Sequence, residues 1–132
     1  MAVSIEIAGF DHSGQPIPAA SQVGPLVMTG GVHGQDPDTG KIPDDVESQA
    51  RLMFENLDRM MQAAGGSMND IVKFTMFVKT PEAKLAVNAQ WLRYYPDPAA
   101  RPARHTLTYE HLPANLLVQC DATAYIEGGR GV

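Results

Sequence analysis

Arg104, Thr106, Gln119 and Asp121 are the side chains of this 132-residue chain whose types and spacing could do chemistry together. A guanidinium is a planar fork that grips a carboxylate through two parallel hydrogen bonds. A threonine hydroxyl can contact the same carboxylate, a glutamine amide can orient water without accepting its proton, and an aspartate can accept it. Each pair sits in a stretch of alternating polarity. Ala103, His105, Leu107 and Tyr109 alternate with Arg104, Thr106, Thr108 and Glu110, while Val118, Cys120, Ala122 and Ala124 alternate with Gln119, Asp121, Thr123 and Tyr125. Period-two alternation predicts strands with one apolar and one polar face. If the apolar faces lie under helices, the four polar side chains project together from the opposite face, as a solvated surface or as the wall of a cleft made with another subunit.

The histidines and the cysteine add less. His33 carries an imidazole that can donate or accept near neutral pH, although loop histidines commonly just face solvent. His105 points away from Arg104 on a regular strand and reads as structural. His12 and His111 have no ligand-like spacing with either, and Cys120 is alone, so neither a metal site nor a disulfide framework is expected. Cys120 falls on the apolar face as a core thiol. Asp36 and Asp38 resemble a calcium loop but lack its following glycine and terminal glutamate, and therefore form a turn.

The elements that must position these residues follow from periodicity. Val46, Ala50, Met53, Phe54, Leu57, Met60, Met61 and Ala64 fall on one stripe of a helix over 45–64, capped by Asp44 or Asp45 and ended by Gly65. Glu47, Arg51, Glu55 and Arg59 take its outer face and are expected to pair acid before base at i to i+4. A second helix is expected from Thr80 as N-cap with Pro81 in first position, ending before Pro96, with Leu85, Ala89, Leu92 and Tyr95 buried. Strands are predicted over 26–30, 71–79, 103–110 and 117–127, with weaker candidates at 4–7 and 17–22. Two helices on one face of a mixed sheet is the economical packing, an α+β arrangement in one domain spanning 1–132.

Composition narrows the function. Apolar residues make up 44%, enough to fill a core. Ten Lys and Arg against fifteen Asp and Glu give a net charge of -5, with no basic run to follow a phosphate backbone, so nucleic acid is not an expected partner. No apolar run approaches the ~18 residues of a membrane span, and the first residues lack a secretory pattern. A cytoplasmic location, without membrane attachment, is the expectation.

At these residues the sequence resembles the RidA family, also called YjgF/YER057c/UK114, of small enamine and imine deaminases. The resemblance is carried by VGPLVMTGG, by DPDTGKIPDDVESQARLMFENLDRMMQAAGGSMNDIVKFTMFVK, by AVNAQWLRYYP and RPARHTLTYEHLP, and by the closing LLVQCDATAYI. It implies a chorismate-mutase-like α+β subunit and a homotrimer with clefts between neighbours. It also implies hydrolysis of reactive 2-imino or 2-enamino acids to 2-oxo acids and ammonia, with no metal or organic cofactor. The family's signature arginine falls on Arg104. Gly31 matches the glycine whose missing side chain lets backbone groups approach the substrate, Asn88 matches the asparagine of the second helix near a neighbour's cleft, and Thr106 matches a small pocket-lining residue.

The sequence also departs from the family pattern. Gln119 stands where active deaminases generally carry the glutamate thought to hold the attacking water. Ile17 stands where the N-terminal pocket segment commonly has an aromatic, and Gly30 with Gly31 replaces Ser-Gly. His33 or Asp121 could supply the missing base. The resemblance therefore implies either a deaminase or a non-catalytic relative that binds small acids or protects other proteins. A nuclease role has also been attributed to the family, and the acidity and missing basic groove argue against it here.

Overall fold

The structure is a computed structural model and describes residues 1–128. Its elements are β1 (Val3–Ile5), β2 (Ala20–Val23), β3 (Leu26–Thr29), α1 (Val46–Ala63), β4 (Ile71–Val78), α2 (Lys84–Tyr94), β5 (Ala103–Thr108) and β6 (Val118–Tyr125). Single 3-10 turns occupy Met68–Asp70 and Pro81–Ala83. The six strands form one mixed sheet in the order β1-β2-β3-β6-β4-β5. Only β4 and β5 run parallel, and α2 supplies the crossover that a parallel pair requires.

The long apolar stripe becomes α1 as expected, with the Asp45 carboxylate accepting from the Ser48 N–H at its start and Gly65 in the left-handed region just past its end. Met53, Phe54, Leu57, Met60 and Met61 are wholly buried, and each such side chain stabilises the fold by ~1.5–3 kcal/mol. Phe54 stacks on Phe74 of β4, and Trp91 of α2 meets the same Phe74 edge-on, so both helices cover one face of the sheet. Cys120 is fully buried there.

Several expectations need correction. The outer charges of α1 do not pair acid before base: Arg51 meets Glu55 at 3.3 Å, while Arg59 turns to the Asn56 side chain and the Ala8 carbonyl. The buried side of α2 is Ala83, Val87, Trp91 and Tyr95, whereas Leu85 is 78% exposed, Leu92 is 53% exposed and Ala89 faces out. The two large aromatics set the helix's rotation, since Trp91 and Tyr95 both pack on Phe74 and the Tyr95 hydroxyl donates to the Met68 carbonyl at 2.7 Å. Thr80 makes no capping bond, and the α-helix begins a turn later than expected. The weaker N-terminal strands exist but shift, which leaves Ile17 ahead of β2.

The most consequential correction concerns β5. Arg104 pairs with Phe74 and Thr106 with Met76, while across β4 those same residues pair with Ala122 and Cys120. Paired residues on neighbouring strands point to the same face. Arg104 and Thr106 thus lie on the helix-bearing face, and Gln119 and Asp121, paired with Phe77 and Thr75, lie on the bare one. The four do not project together. β5 is an edge strand that the helices cover only partly, so its polar residues sit where a central strand would place core side chains. The bare face carries exposed Val23, Leu26, Met28, Leu107 and Tyr125.

Candidate functional site

The chemistry-bearing residues gather in two clusters on opposite faces of the sheet. The first is built where β5 passes beside α2. The Arg104 guanidinium lies over the Trp91 ring at 4.9 Å from its centroid. Its Nε donates to the Thr106 hydroxyl and one terminal nitrogen donates to the Asn88 side-chain oxygen, both at 2.7 Å. Alternation along β5 brings Thr106 back to Arg104, and the outward side of α2 delivers Asn88. No carboxylate lies within ion-pair distance of Arg104 among the described residues, and its second terminal nitrogen makes no hydrogen bond there. Partial burial lowers the guanidinium's pKa from its ordinary value, yet arginine remains charged. A half-buried cation held by neutral partners is suited to an anion.

The second cluster forms where the chain leaves β3. Val32 exchanges two backbone hydrogen bonds with Cys120, at 2.6 and 2.9 Å, and this bridge lays Gly31 against Gln119. A Cβ on Gly31 would stand 2.6 Å from the Gln119 Nε2, so any side chain here would displace that amide. The next turn is anchored from α1, whose buried Asn56 donates to the His33 and Gln35 carbonyls at 2.9 Å each.

His33 is 9% exposed and stacks on Phe10, with its Nε2 3.2 Å from the Asp11 carbonyl oxygen. That contact makes Nε2 the protonated donor and leaves Nδ1 a buried lone pair without a partner. Burial lowers the His33 pKa, outweighing the opposing pull of the Asp11 carbonyl, and keeps the ring neutral at pH 7. His12 stands edge-on to His33 at 6.1 Å and donates from Nε2 to the Gly31 carbonyl at 2.7 Å. Sequence reading set His12 aside because 21 positions separate it from His33, and only the fold joins them; no local signal marks it. The two imidazoles and Gln119 line one pocket.

The remaining candidates lie elsewhere. Asp121 shares Gln119's face one strand period away, beside Thr75 and Lys73, and burial raises its pKa against the hydrogen bond from Thr75. Ile17 is 54% exposed and lines no part of the pocket, although the carbonyl of its neighbour Pro18 lies against Gly30. His105 meets Lys73 on the bare face, away from Arg104. Burial raises the Cys120 thiol pKa, which marks it as inert packing. Asp36 caps a turn through the Asp38 N–H. Among the described residues no three His, Cys, Asp or Glu side chains are grouped to hold a metal, and no helix is long and apolar enough to cross a membrane.

Comparison with known proteins finds a match to the family model described as Endoribonuclease L-PSP over residues 14–126. A 2-iminobutanoate/2-iminopropanoate deaminase of Salmonella typhimurium is 36% identical over 103 residues, covering 77% of this chain and 80% of that protein. Among solved structures, RidA from the Antarctic bacterium Psychrobacter superposes with a TM-score of 0.85 at 28% identity, covering 94% of this chain and 99% of the other. TdcF of E. coli, solved with bound serine, gives a TM-score of 0.84 at 30% identity, covering 93% and 98%.

Proposed function

The chain belongs to the RidA/YjgF family, and from that premise we propose that it is a homotrimeric deaminase of 2-imino and 2-enamino carboxylic acids, working in clefts between subunits. The observation that carries this reading is the Arg104 guanidinium, which has no counter-ion among the described residues and is suited to a substrate carboxylate. Support for the shared cleft comes from the separation of the two clusters. Arg104 with Asn88 and Thr106 lies on one face of the sheet, Gly31 with Gln119 and His33 on the other, and no single chain brings them to one substrate. A neighbour can, and the apolar bare face gives such a contact area to bury.

In this mechanism Arg104 of one subunit fixes the carboxylate and orients the imine. The Gly31 carbonyl, steadied by His12, faces the substrate nitrogen of the adjoining half-site. Water held by the Gln119 amide adds to the iminium carbon. One of its protons passes to the nitrogen, and the C–N bond then breaks to release ammonia while the hydroxyl loses the second proton to solvent and becomes the 2-oxo group. His33, neutral and on the same pocket, is the proton carrier that the arrangement favours over Asp121, which is engaged by Thr75 outside that pocket. An iminium carbon is already electrophilic, so orientation and charge complementarity carry much of the rate.

A second reading, a binding member of the family that holds small acids or protects other proteins, is favoured by Gln119, since an amide accepts no proton. Ammonia release from freshly generated 2-aminoacrylate separates the two. Release above the spontaneous rate is expected; carboxylate binding without it supports the binder.

A further inference from the structure

Beside Gln119 lies a pocket of about 160 Å³ lined by His12, Ser13, His33, Ile42, Pro113, Ala114, Leu116 and Gln119. Its size matters because an apolar cavity of roughly 150 Å³ is enough to take up benzene. The non-imidazole walls are mostly hydrocarbon, from Ile42, Pro113, Ala114 and Leu116, and the polar groups are confined to Ser13, the two imidazoles and the Gln119 amide. A mostly apolar lining with a few convergent polar groups is the usual form of a small-molecule pocket, and this one has room for a side chain rather than a whole ligand.

A second, independent feature marks the same place. Ser13, at φ 56°, and Ala114, at φ 52°, are the two non-glycine residues with positive φ among the described residues, and both line this pocket. An L-alanine in the left-handed region is strained by its Cβ, and such residues persist where the surroundings hold them in place, commonly at ligand sites. The two strained residues come from loops about 100 positions apart, so no shared turn accounts for their meeting.

Resting on the deaminase reading, we infer that this pocket receives the substrate's side chain and selects 2-imino or 2-enamino acids with a bulky apolar group, aromatic or branched aliphatic, over those bearing a methyl or ethyl. With the carboxylate on a neighbour's Arg104 and the reacting carbon at Gln119, the third substituent of that carbon has this space to enter. A methyl group leaves most of it empty. A phenyl or isobutyl group fills it and contacts Ile42 and Leu116, with ring edges meeting the His12 and His33 imidazoles.

The test uses the stable 2-oxo acid products as ligands of the intact oligomer, titrated calorimetrically. Phenylpyruvate and 4-methyl-2-oxopentanoate are expected to bind at least ten-fold more tightly than pyruvate, a difference of about 1.4 kcal/mol. Ile42→Trp, which fills the pocket from a half-buried position, is expected to bring that ratio close to one. Ile42→Ala, which cannot clash, should also cut the ratio for 4-methyl-2-oxopentanoate by removing a wall contact. Equal affinity for pyruvate and the bulky acids in the unmodified protein overturns the pocket assignment, whatever the ammonia assay gives. A ratio unmoved by both Ile42 variants overturns it as well. Preference for the bulky acids without ammonia release from the corresponding imines supports the pocket and removes the catalytic reading. Absence of binding by every 2-oxo acid overturns both.

Discussion

Replacing Arg104 with alanine tests the anion site most directly. In the folded chain the guanidinium makes two hydrogen bonds to neutral side chains and stacks on Trp91, with one terminal nitrogen left for a ligand. A hydrogen bond to a charged partner contributes ~1.5–3 kcal/mol, which corresponds to roughly 10- to 150-fold in affinity. The side chain is half-buried rather than enclosed, so ~10-fold is the floor expected for a carboxylate and the upper end requires a cleft that excludes water. Loss of the stacking contact at a partly exposed site costs only ~0.5–1 kcal/mol of stability, and the fold should survive. Arg104→Lys retains the charge but loses the fork and the Nε contact to Thr106, so it should bind nearly as poorly as alanine. The assay is calorimetric titration with pyruvate at low and moderate salt, alongside a melting curve. A natively folded Arg104→Ala protein with unchanged pyruvate affinity would refute the reasoning, because among the described residues Arg104 is the cation of that cluster.

Three further outcomes follow from the second cluster. With His33 as the proton carrier, Gln119→Glu should leave ammonia release on small imino acids flat or lower while His33→Ala damages it; a ~10-fold gain from Gln119→Glu, about 1.4 kcal/mol off the barrier, would instead show that water activation limits turnover and contradict the His33 role. Gly31→Ala should lower activity with little change in melting, because its Cβ meets the flexible Gln119 side chain, and it should cost little more in a Gln119→Ala background. His33 has a folded pKa below its unfolded 6.5, so the unfolded chain binds the extra proton first: its contribution is complete above about pH 6.5 and is lost as pH falls from there through the lowered folded pKa, and His33→Gln should flatten that part of the stability profile.

What the sequence revealed and what it hid divide along physical lines. The α1 stripe was legible because eight apolar residues repeat at helical spacing and a carboxylate stands where the cap belongs. β6 was legible because a central strand with one covered face alternates cleanly, from Val118 to Tyr125. β5 was legible as a strand but its faces were not, since an edge strand half under α2 lets Leu107 face out and Arg104 face in, the guanidinium being satisfied by Trp91, Thr106 and Asn88. Counting apolar residues misplaced the face of α2 for a related reason: Leu85 and Leu92 are hydrophobic, but Trp91 and Tyr95 bury more area and fix the rotation. The membership of His12 in the site rests on a contact between distant loops, which no local pattern encodes.

The opposite placement of the two clusters makes a quantitative demand on the assembly. Each cleft draws Arg104 from one subunit and Gln119 from the next, so an Arg104→Ala chain and a Gln119→Ala chain, each inactive alone, should complement one another. In a cyclic trimer co-expressed from equal amounts of both, a given cleft has one chance in two of an intact Arg104 and one in two of an intact Gln119 from its neighbour, so ~25% of the wild-type sites return. Separate preparations mixed without subunit exchange should remain inactive, as should trimers carrying both substitutions on every chain. The readout is ammonia release per subunit together with solution mass. Recovery near one quarter requires two chains per site, whereas no recovery from verified mixed trimers places both groups in one subunit's reach and contradicts the sheet register that separates them. A stable monomer that releases ammonia would contradict it equally, because there the substrate would have to touch both faces of the same sheet.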